Sequence, residues 1–112
     1  MTPDTPHQTL RVAISGTGFA GDFTARAFQM LPHKNRVSIE LAGVTSGHLG
    51  NARQFAARHG VGAAFEHHSD MLEAVQPHID CISCANHAHA QYAMEAAGAG
   101  VPVIVLEKPP LI

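Results

Sequence analysis

The sequence has 112 residues, a hydrophobic fraction of 46% and a charged fraction of 14%, which suit one globular domain with a single core and argue against disorder. The formal net charge is −2 and the few lysines and arginines are scattered, so nucleic-acid binding is not expected. Because no apolar run approaches the roughly 20 residues that cross a bilayer and residues 1–8 lack signal-peptide features, we expect no membrane partner and a cytoplasmic location.

In chain order, a polar lead over residues 1–9, expected to be flexible, is followed by strands and helices that alternate to the end of the chain. This alternation predicts right-handed βαβ crossovers within one domain over residues 10–112. The predicted fold class is α/β, a Rossmann-type doubly wound parallel sheet in three αβα layers. Strands are expected at 10–15, 37–45, 63–65, 79–84 and 101–106, and helices at 20–31, 51–59, 69–75 (capped by Ser69) and 87–97.

A glycine-rich motif, G-T-G-F-A-G, lies between the first strand and the first helix. Gly16 allows a tight turn, Gly18 removes a Cβ that would block a pyrophosphate, and Gly21 lets the helix pack closely on the strand. The pyrophosphate would then meet free N–H groups at the helix N-terminus. A merely structural turn is the alternative, and a Walker A loop is excluded because no Gly-Lys-Ser/Thr follows. The residues of this turn predicted to contact a cofactor are Gly16, Thr17, Gly18, Phe19, Ala20 and Gly21.

The end of the second strand is the next diagnostic position for a dinucleotide. A carboxylate there would accept hydrogen bonds from the adenosine ribose of NAD, but the chain reads Val-Thr-Ser-Gly-His over residues 44–48. Thr45, Ser46 and His48 instead offer polar groups to a ribose or a 2′-phosphate, and no arginine adjoins them. NAD and NADP are therefore both open as cofactors, and a simple turn and helix cap remains the alternative.

Neither the cysteines nor the paired histidines predict a metal or redox site. Cys81 and Cys84 lie in a strand-like run, where residues three apart face opposite sides, so buried packing is favoured over a disulfide. The pairs at residues 67–68 and 87/89 lack the i, i+4 spacing of a zinc site, and no cysteine or carboxylate completes them. No metal is therefore expected.

Two motifs near the end of the chain resemble those of a known family. Glu107-Lys108-Pro109 follows the fifth strand, and Asn86-x-x-His89 follows the fourth. Together with the alanine-rich helix between them, they make the sequence from residue 11 onward similar to the Gfo/Idh/MocA family of NAD(P)-dependent oxidoreductases. Both motifs follow the carboxyl ends of strands, where ligands bind in open α/β sheets.

This resemblance implies roles for several residues. Lys108 would contact the substrate and the nicotinamide ribose, which makes it the candidate catalytic residue, and Glu107 would orient it or cap a neighbouring segment. Asn86 and His89 would line the cofactor pocket, with helix packing as the alternative for His89. Ala85 belongs to the same segment and departs from the family pattern, which usually has Pro or Thr at that position.

The resemblance also implies a second, substrate-binding domain, which these 112 residues do not include. The favoured interpretation is the N-terminal domain of a sugar or polyol dehydrogenase that transfers a hydride between a small-molecule substrate and the nicotinamide, with this chain catalytically incomplete alone. The alternative is a stand-alone, non-catalytic nucleotide-binding or interaction module. Surface left exposed without a second domain would favour a homo-oligomer. A methyltransferase is disfavoured because no acidic residue ends the second strand.

Overall fold

The computed structural model describes residues 8–31, 37–84 and 86–107. Within them, strands and helices alternate as predicted and form the α/β Rossmann-type fold. The elements are β1 (Gln8–Ser15), α1 (Phe19–Met30), β2 (Val37–Thr45), α2 (Leu49–His59), β3 (Ala64–Phe65), α3 (His68–Val75), β4 (Ile79–Ile82), α4 (Asn86–Gly98) and β5 (Val103–Leu106).

The five strands form one sheet in the order β3-β2-β1-β4-β5, and every neighbouring pair is parallel. The chain runs outward from β1 to β3, crosses back, and continues from β4 on the other side of β1. This reversal opens a crevice above the carboxyl ends of β1 and β4, which is where open α/β sheets bind ligands. The sheet order therefore places the glycine-rich turn, which follows β1, at the edge of that crevice.

Both faces of the sheet are covered. The consecutive residues Val12, Ala13 and Ile14 of β1 are all fully buried, as expected for a central parallel strand with helices on each side. Helices α1 and α2 contact each other in one layer, and α3 and α4 contact each other in the other layer. The buried core cluster comprises Val12, Ile14, Ala25, Leu41, Val44, Ala52, Phe55, Val61 and Cys81.

Several element ends differ from the prediction. β1 begins at Gln8, so residues 8 and 9 of the supposed lead pair with β2, while residues 1–7 lie outside the described part. The prediction of Ser69 as a helix cap is wrong: α3 already begins at His68, with His67 in the cap position and no capping side chain. The His68 ring is buried and contacts Asp80 of β4, a long-range contact that sequence spacing does not reveal.

The cysteines behave as the packing interpretation predicts, although β4 ends at Ile82 and leaves Cys84 beyond the strand. Both thiols are free, and Cys81 is buried. Burial, reinforced by the negative charges of Asp80 and Glu107, raises the pKa of Cys81 to about 12, so this thiol is neutral and unreactive near pH 7.

One face of the molecule is apolar and open to solvent. Along α1 and the edge strand β5, Phe23 is 65% exposed and Val105 is 39% exposed. Phe28, Leu31 and Val105 line a groove on the same face. No helix among the described residues is long and apolar enough to span a bilayer.

Candidate nucleotide-binding site

The glycine-rich turn is held between three strands. Gly16 has a φ of 124°, a conformation that L side chains rarely adopt, and its N–H donates to the Thr45 carbonyl at 2.8 Å. A Cβ at Gly16 would lie 2.8 Å from the Ser83 Oγ and 2.9 Å from the Cys84 nitrogen. Glycine is therefore required at position 16 both by the backbone angle and by the close approach of the segment that follows β4.

Gly18 and Gly21, the two later glycines of the motif, differ in how closely other protein atoms surround them. A Cβ at Gly21 would collide with the Gly16 carbonyl oxygen and would touch the Ile14 side chain, so Gly21 allows α1 to start directly against the turn. A Cβ at Gly18 would meet nothing within 4 Å. The space above Gly18 is thus open, as required if that glycine gives access to a ligand rather than to another part of the protein.

The N-terminus of α1 borders this open space. Gly18 is its N-cap, and no side chain caps the helix there. The first N–H groups of a helix have no intrahelical acceptor, and the helix dipole makes that end positive. Thr17 and Ala20 are half-buried and Phe19 is exposed. The turn therefore offers uncapped N–H groups to an anion at the mouth of the crevice.

The polar side chains at the end of β2 form hydrogen bonds within the protein. Thr45 is fully buried, and its hydroxyl donates to the Glu66 carbonyl at 3.2 Å. The Ser46 hydroxyl donates to the His48 carbonyl at 2.7 Å and accepts the His48 N–H at 3.2 Å. The Ser46–His48 bonds form the turn that the sequence analysis gave as the alternative to cofactor binding. Thr45 contacts the glycine-rich turn through its backbone carbonyl, which accepts the Gly16 N–H.

The residues after β4 and β5 come together at the same edge of the sheet. His89 Nε2 donates to the Glu107 carbonyl at 3.1 Å, and the Glu107 N–H donates to the Ile82 carbonyl at 2.9 Å. The Glu107 carboxylate accepts a 2.7 Å hydrogen bond from Thr24 in the middle of α1, which ties α1 to the end of β5. Ala85, Lys108 and the Asn86 side chain lie outside the described residues.

Ser83, which sequence reasoning missed, lies where the crevice opens. Its N–H donates to the Ser15 carbonyl at 2.8 Å. Among the described residues, its hydroxyl is the one buried side-chain polar atom without a hydrogen-bond partner. A buried hydroxyl without a partner is energetically unfavourable, and one beside the glycine-rich turn is well placed to bond to a ligand in the crevice.

A second feature missed by sequence reasoning is a buried polar network beneath the crevice. Asp80 accepts hydrogen bonds from the Ser15 hydroxyl and from His68 Nε2, each at 2.7 Å. His68 Nδ1 lies 2.7 Å from Glu95, and the Tyr92 ring stacks on His68 at 4.2 Å. Because both imidazole nitrogens face carboxylates, which only accept when ionised, this geometry favours a protonated His68.

The pKa of His68 follows from this arrangement. Burial alone would lower it, but the hydrogen bonds to Asp80 and Glu95 and their negative charges outweigh burial and raise it above its ordinary value of 6.5. A raised folded-state pKa stabilises the domain fully below the unfolded value, and that stabilisation is lost as the pH rises through the folded value. The network therefore keeps His68 protonated to a higher pH than an ordinary histidine.

We expect both ring nitrogens of His68 to remain protonated at pH values where an ordinary histidine has already lost one proton. Nitrogen NMR of histidine-labelled protein would measure this, with His67, which is 68% exposed, as the internal control. The free energy of unfolding should also decline as the pH rises through the folded-state pKa. A His68 ring that is neutral wherever His67 is neutral would contradict the prediction.

Two polar cavities flank the turn after β2. One, of about 240 Å³, separates Thr17 from α2, where it is lined by Asn51, Gln54, Phe55 and Arg58. The other, of about 330 Å³, lies between the α3 and α4 layer and that turn, and Gly47 lines it. The second cavity lies beside the segment where the sequence predicts the adenosine half of a dinucleotide, and the first borders the glycine-rich turn. No group of three or more histidine, cysteine or acidic side chains among the described residues is arranged to hold a metal ion.

Comparison with known proteins gives one family match and one similar curated protein. Residues 10–112 match a family described as oxidoreductases with an NAD-binding Rossmann fold. The chain is 31% identical over 101 residues to D-glucoside 3-dehydrogenase of Escherichia coli K12, an alignment that covers 90% of this chain and 27% of that protein. The chain thus spans about a quarter of its relative's length.

Solved structures show the same partial match. The structure of levoglucosan dehydrogenase in complex with NADH superposes with a TM-score of 0.74 at 25% identity and covers 88% of this chain and 27% of that one. Apo scyllo-inositol dehydrogenase from Lactobacillus casei superposes with a TM-score of 0.72 at 23% identity and covers 87% and 28%, respectively. The second similarity, at its lower identity, bears on the fold alone.

Proposed function

Because the chain belongs to the Gfo/Idh/MocA oxidoreductase family, whose matching part is an NAD-binding Rossmann fold, we propose that it binds the dinucleotide of a sugar or polyol dehydrogenase across the crevice above β1 and β4. The observation that carries this proposal is the open space at Gly18 beside the uncapped N-terminus of α1. The extended backbone of Gly18 does not itself require glycine, and its missing Cβ leaves room for a ligand.

The described residues fit a dinucleotide. The N–H groups at the start of α1 would receive the pyrophosphate, and the unpartnered Ser83 hydroxyl would gain a hydrogen-bond partner. On the adenosine side, the cavity lined by Gly47, His67 and His87 is of a size for the adenine ring. The bound nicotinamide supplies or accepts the hydride, and the protein supplies binding and orientation.

The substrate end of the site is proposed from the resemblance. Lys108 would hydrogen-bond the reacting oxygen and assist proton movement, and Asn86 would lie beside the nicotinamide. His89 supports this placement less directly, by holding the backbone of Glu107, the residue before the lysine, at 3.1 Å. These roles would align the substrate with the nicotinamide ring, while most substrate contacts would come from a further domain.

The relatives support a small polyhydroxy substrate. D-glucoside 3-dehydrogenase and levoglucosan dehydrogenase are both named for sugars. We propose the same substrate class for the full protein, in the cytoplasm, with self-association through the apolar α1–β5 face. A non-catalytic nucleotide-binding module is the alternative, and sugar-dependent reduction of NAD or NADP by the full-length protein would rule it out.

Titration with NADH tests the binding step directly. We expect saturable enhancement of nicotinamide fluorescence with a Kd below about 1 mM, which corresponds to roughly 4 kcal/mol of binding free energy. The chain alone should not oxidise sugars or polyols. S-adenosylmethionine, followed by calorimetry, is the control for a generic adenosine site. Absence of NADH and NADPH binding at millimolar concentration would contradict the proposed function.

A further inference from the structure

We propose that the cavity between the glycine-rich turn and α2 binds the 2′-phosphate of NADP(H), so that this domain prefers NADP(H) to NAD(H). This cavity, the phosphate pocket, is lined by Thr17, Asn51, Gln54, Phe55 and Arg58. The inference rests on the proposed function, because it assumes that a dinucleotide lies across the turn.

Contacts between the helices explain why α2 stands beside the turn. His59, near the end of α2, contacts Asp22 in the first turn of α1 at 2.7 Å. The His59 carbonyl also accepts a hydrogen bond from the last turn of α1, so α2 runs alongside α1 and its earlier turns lie level with the start of α1. Asn51, Gln54 and Arg58 are spaced i, i+3 and i+7, so they share the α2 face that borders Thr17.

The chemistry of the pocket suits a phosphate monoester. Its polar side chains are a hydroxyl, two carboxamides and a guanidinium, all of which donate hydrogen bonds, and no carboxylate lines it. The planar guanidinium of Arg58 matches the geometry of phosphate oxygens. Its side chain is 60% exposed, which leaves it free to turn toward a ligand.

A nearby carboxylate does not cancel this charge. Asp22 Oδ1 lies 3.8 Å from Arg58, but the same carboxylate contacts His59 at 2.7 Å and Arg26 at 3.1 Å. Asp22 therefore has two closer cationic or hydrogen-bonding partners in α1 and α2. Arg58 can leave Asp22 for a bound phosphate without stranding the carboxylate.

The residues at the end of β2 also favour NADP(H) over NAD(H). A domain built for NAD places a carboxylate there, which binds the ribose 2′-hydroxyl and repels a 2′-phosphate. In this chain no acidic residue occupies positions 44–48. The Thr45 and Ser46 hydroxyls already bond to the Glu66 and His48 carbonyls. The end of β2 thus has no carboxylate to bind the ribose 2′-hydroxyl of NAD and none to repel the 2′-phosphate of NADP.

Parallel titrations of the chain with NADPH and NADH test the pocket. We expect the wild-type chain to bind NADPH more tightly. Arg58→Gln should weaken NADPH binding by about tenfold, the loss typical of one charge-assisted hydrogen bond. It should leave the NADH Kd within about twofold. Arg53→Gln is the matched control, because Arg53 is exposed on the same helix and does not line the pocket.

Two further measurements separate the pocket from general electrostatics. Asn51→Asp, which places a carboxylate in the pocket, should also lower NADPH affinity selectively, and circular dichroism would check that the variants fold. In calorimetry, 2′,5′-ADP should bind more tightly than 5′-AMP. Tighter binding of NADH than NADPH, or equal weakening of both by Arg58→Gln, would overturn this inference alone. Failure of both nucleotides to bind the wild-type chain would overturn the proposed function as well.

Discussion

Replacing Gly18 with valine should reduce dinucleotide affinity by about a hundredfold while leaving the domain folded. The backbone at Gly18 has φ −77° and ψ −159°, an extended conformation that valine adopts readily. The new side chain would project into the space where the pyrophosphate is proposed to lie, and it would meet no protein atom within 4 Å of its Cβ. The change in unfolding free energy should therefore stay within about 0.5 kcal/mol.

Gly21 provides the contrasting variant within the same motif. Even alanine at this position would drive its Cβ into the backbone carbonyl of Gly16, which cannot move without breaking the turn. We expect Gly21→Ala to lose about 3 kcal/mol of stability, at the upper end of the usual range for overpacking. Thermal unfolding and NADH titration of both variants would separate the two effects. Retained affinity in Gly18→Val would contradict the proposed pyrophosphate site.

The second large effect is expected from Asp80→Ala. Asp80 is fully buried and accepts hydrogen bonds from both Ser15 and His68. Its removal would leave the Ser15 hydroxyl without that partner and His68 with only the Glu95 carboxylate. Breaking a buried ion pair in this way typically destabilises a protein by about 3–5 kcal/mol. Urea unfolding would measure the loss, with Asp70→Ala, at an exposed site on α3, as the control.

A double-mutant cycle would show how much of the stability loss comes from the His68–Asp80 interaction. The combined variant Asp80→Ala, His68→Ala should be less destabilised than the sum of the single variants, because the second substitution removes a charge that the first has stranded. Strictly additive losses, or an Asp80→Ala variant as stable as the wild type, would mean that the His68–Asp80 contact adds little to the fold.

The fold could be predicted from the sequence because the patterns that indicate each strand and helix are local. Strand-like runs alternate with helical spacing, and glycines or prolines separate them, so the order of elements is readable without long-range information. The G-x-G-x-x-G motif predicted both the turn and the close packing at Gly21. Element ends were less predictable, as at His68, whose ring makes a long-range contact that sequence spacing does not reveal.

The side-chain contacts around the site were not predictable in the same way. His68 lies 12 residues from Asp80 and 27 from Glu95, and Ser15 lies 65 from Asp80, so no sequence spacing relates them. Thr45 offered a hydroxyl in the expected place, yet its partner is a carbonyl 21 residues away. Arg58 looks like an ordinary solvated helix residue in the sequence, and only the folded structure shows that it lines a cavity together with Thr17.

The contacts that hold the glycine-rich turn also affect how the turn and the surrounding side chains each contribute to dinucleotide affinity. Gly16 is bonded to β2 and packed against the segment after β4, and Gly21 is packed against Gly16. The turn is thus pre-organised by the sheet, and a ligand that binds there loses little affinity to the conformational entropy of ordering a loop. That part of the binding free energy should be nearly the same for every dinucleotide. Discrimination among cofactors would then fall to replaceable side chains such as Arg58, the proposed phosphate ligand, so cofactor preference could change without altering the turn.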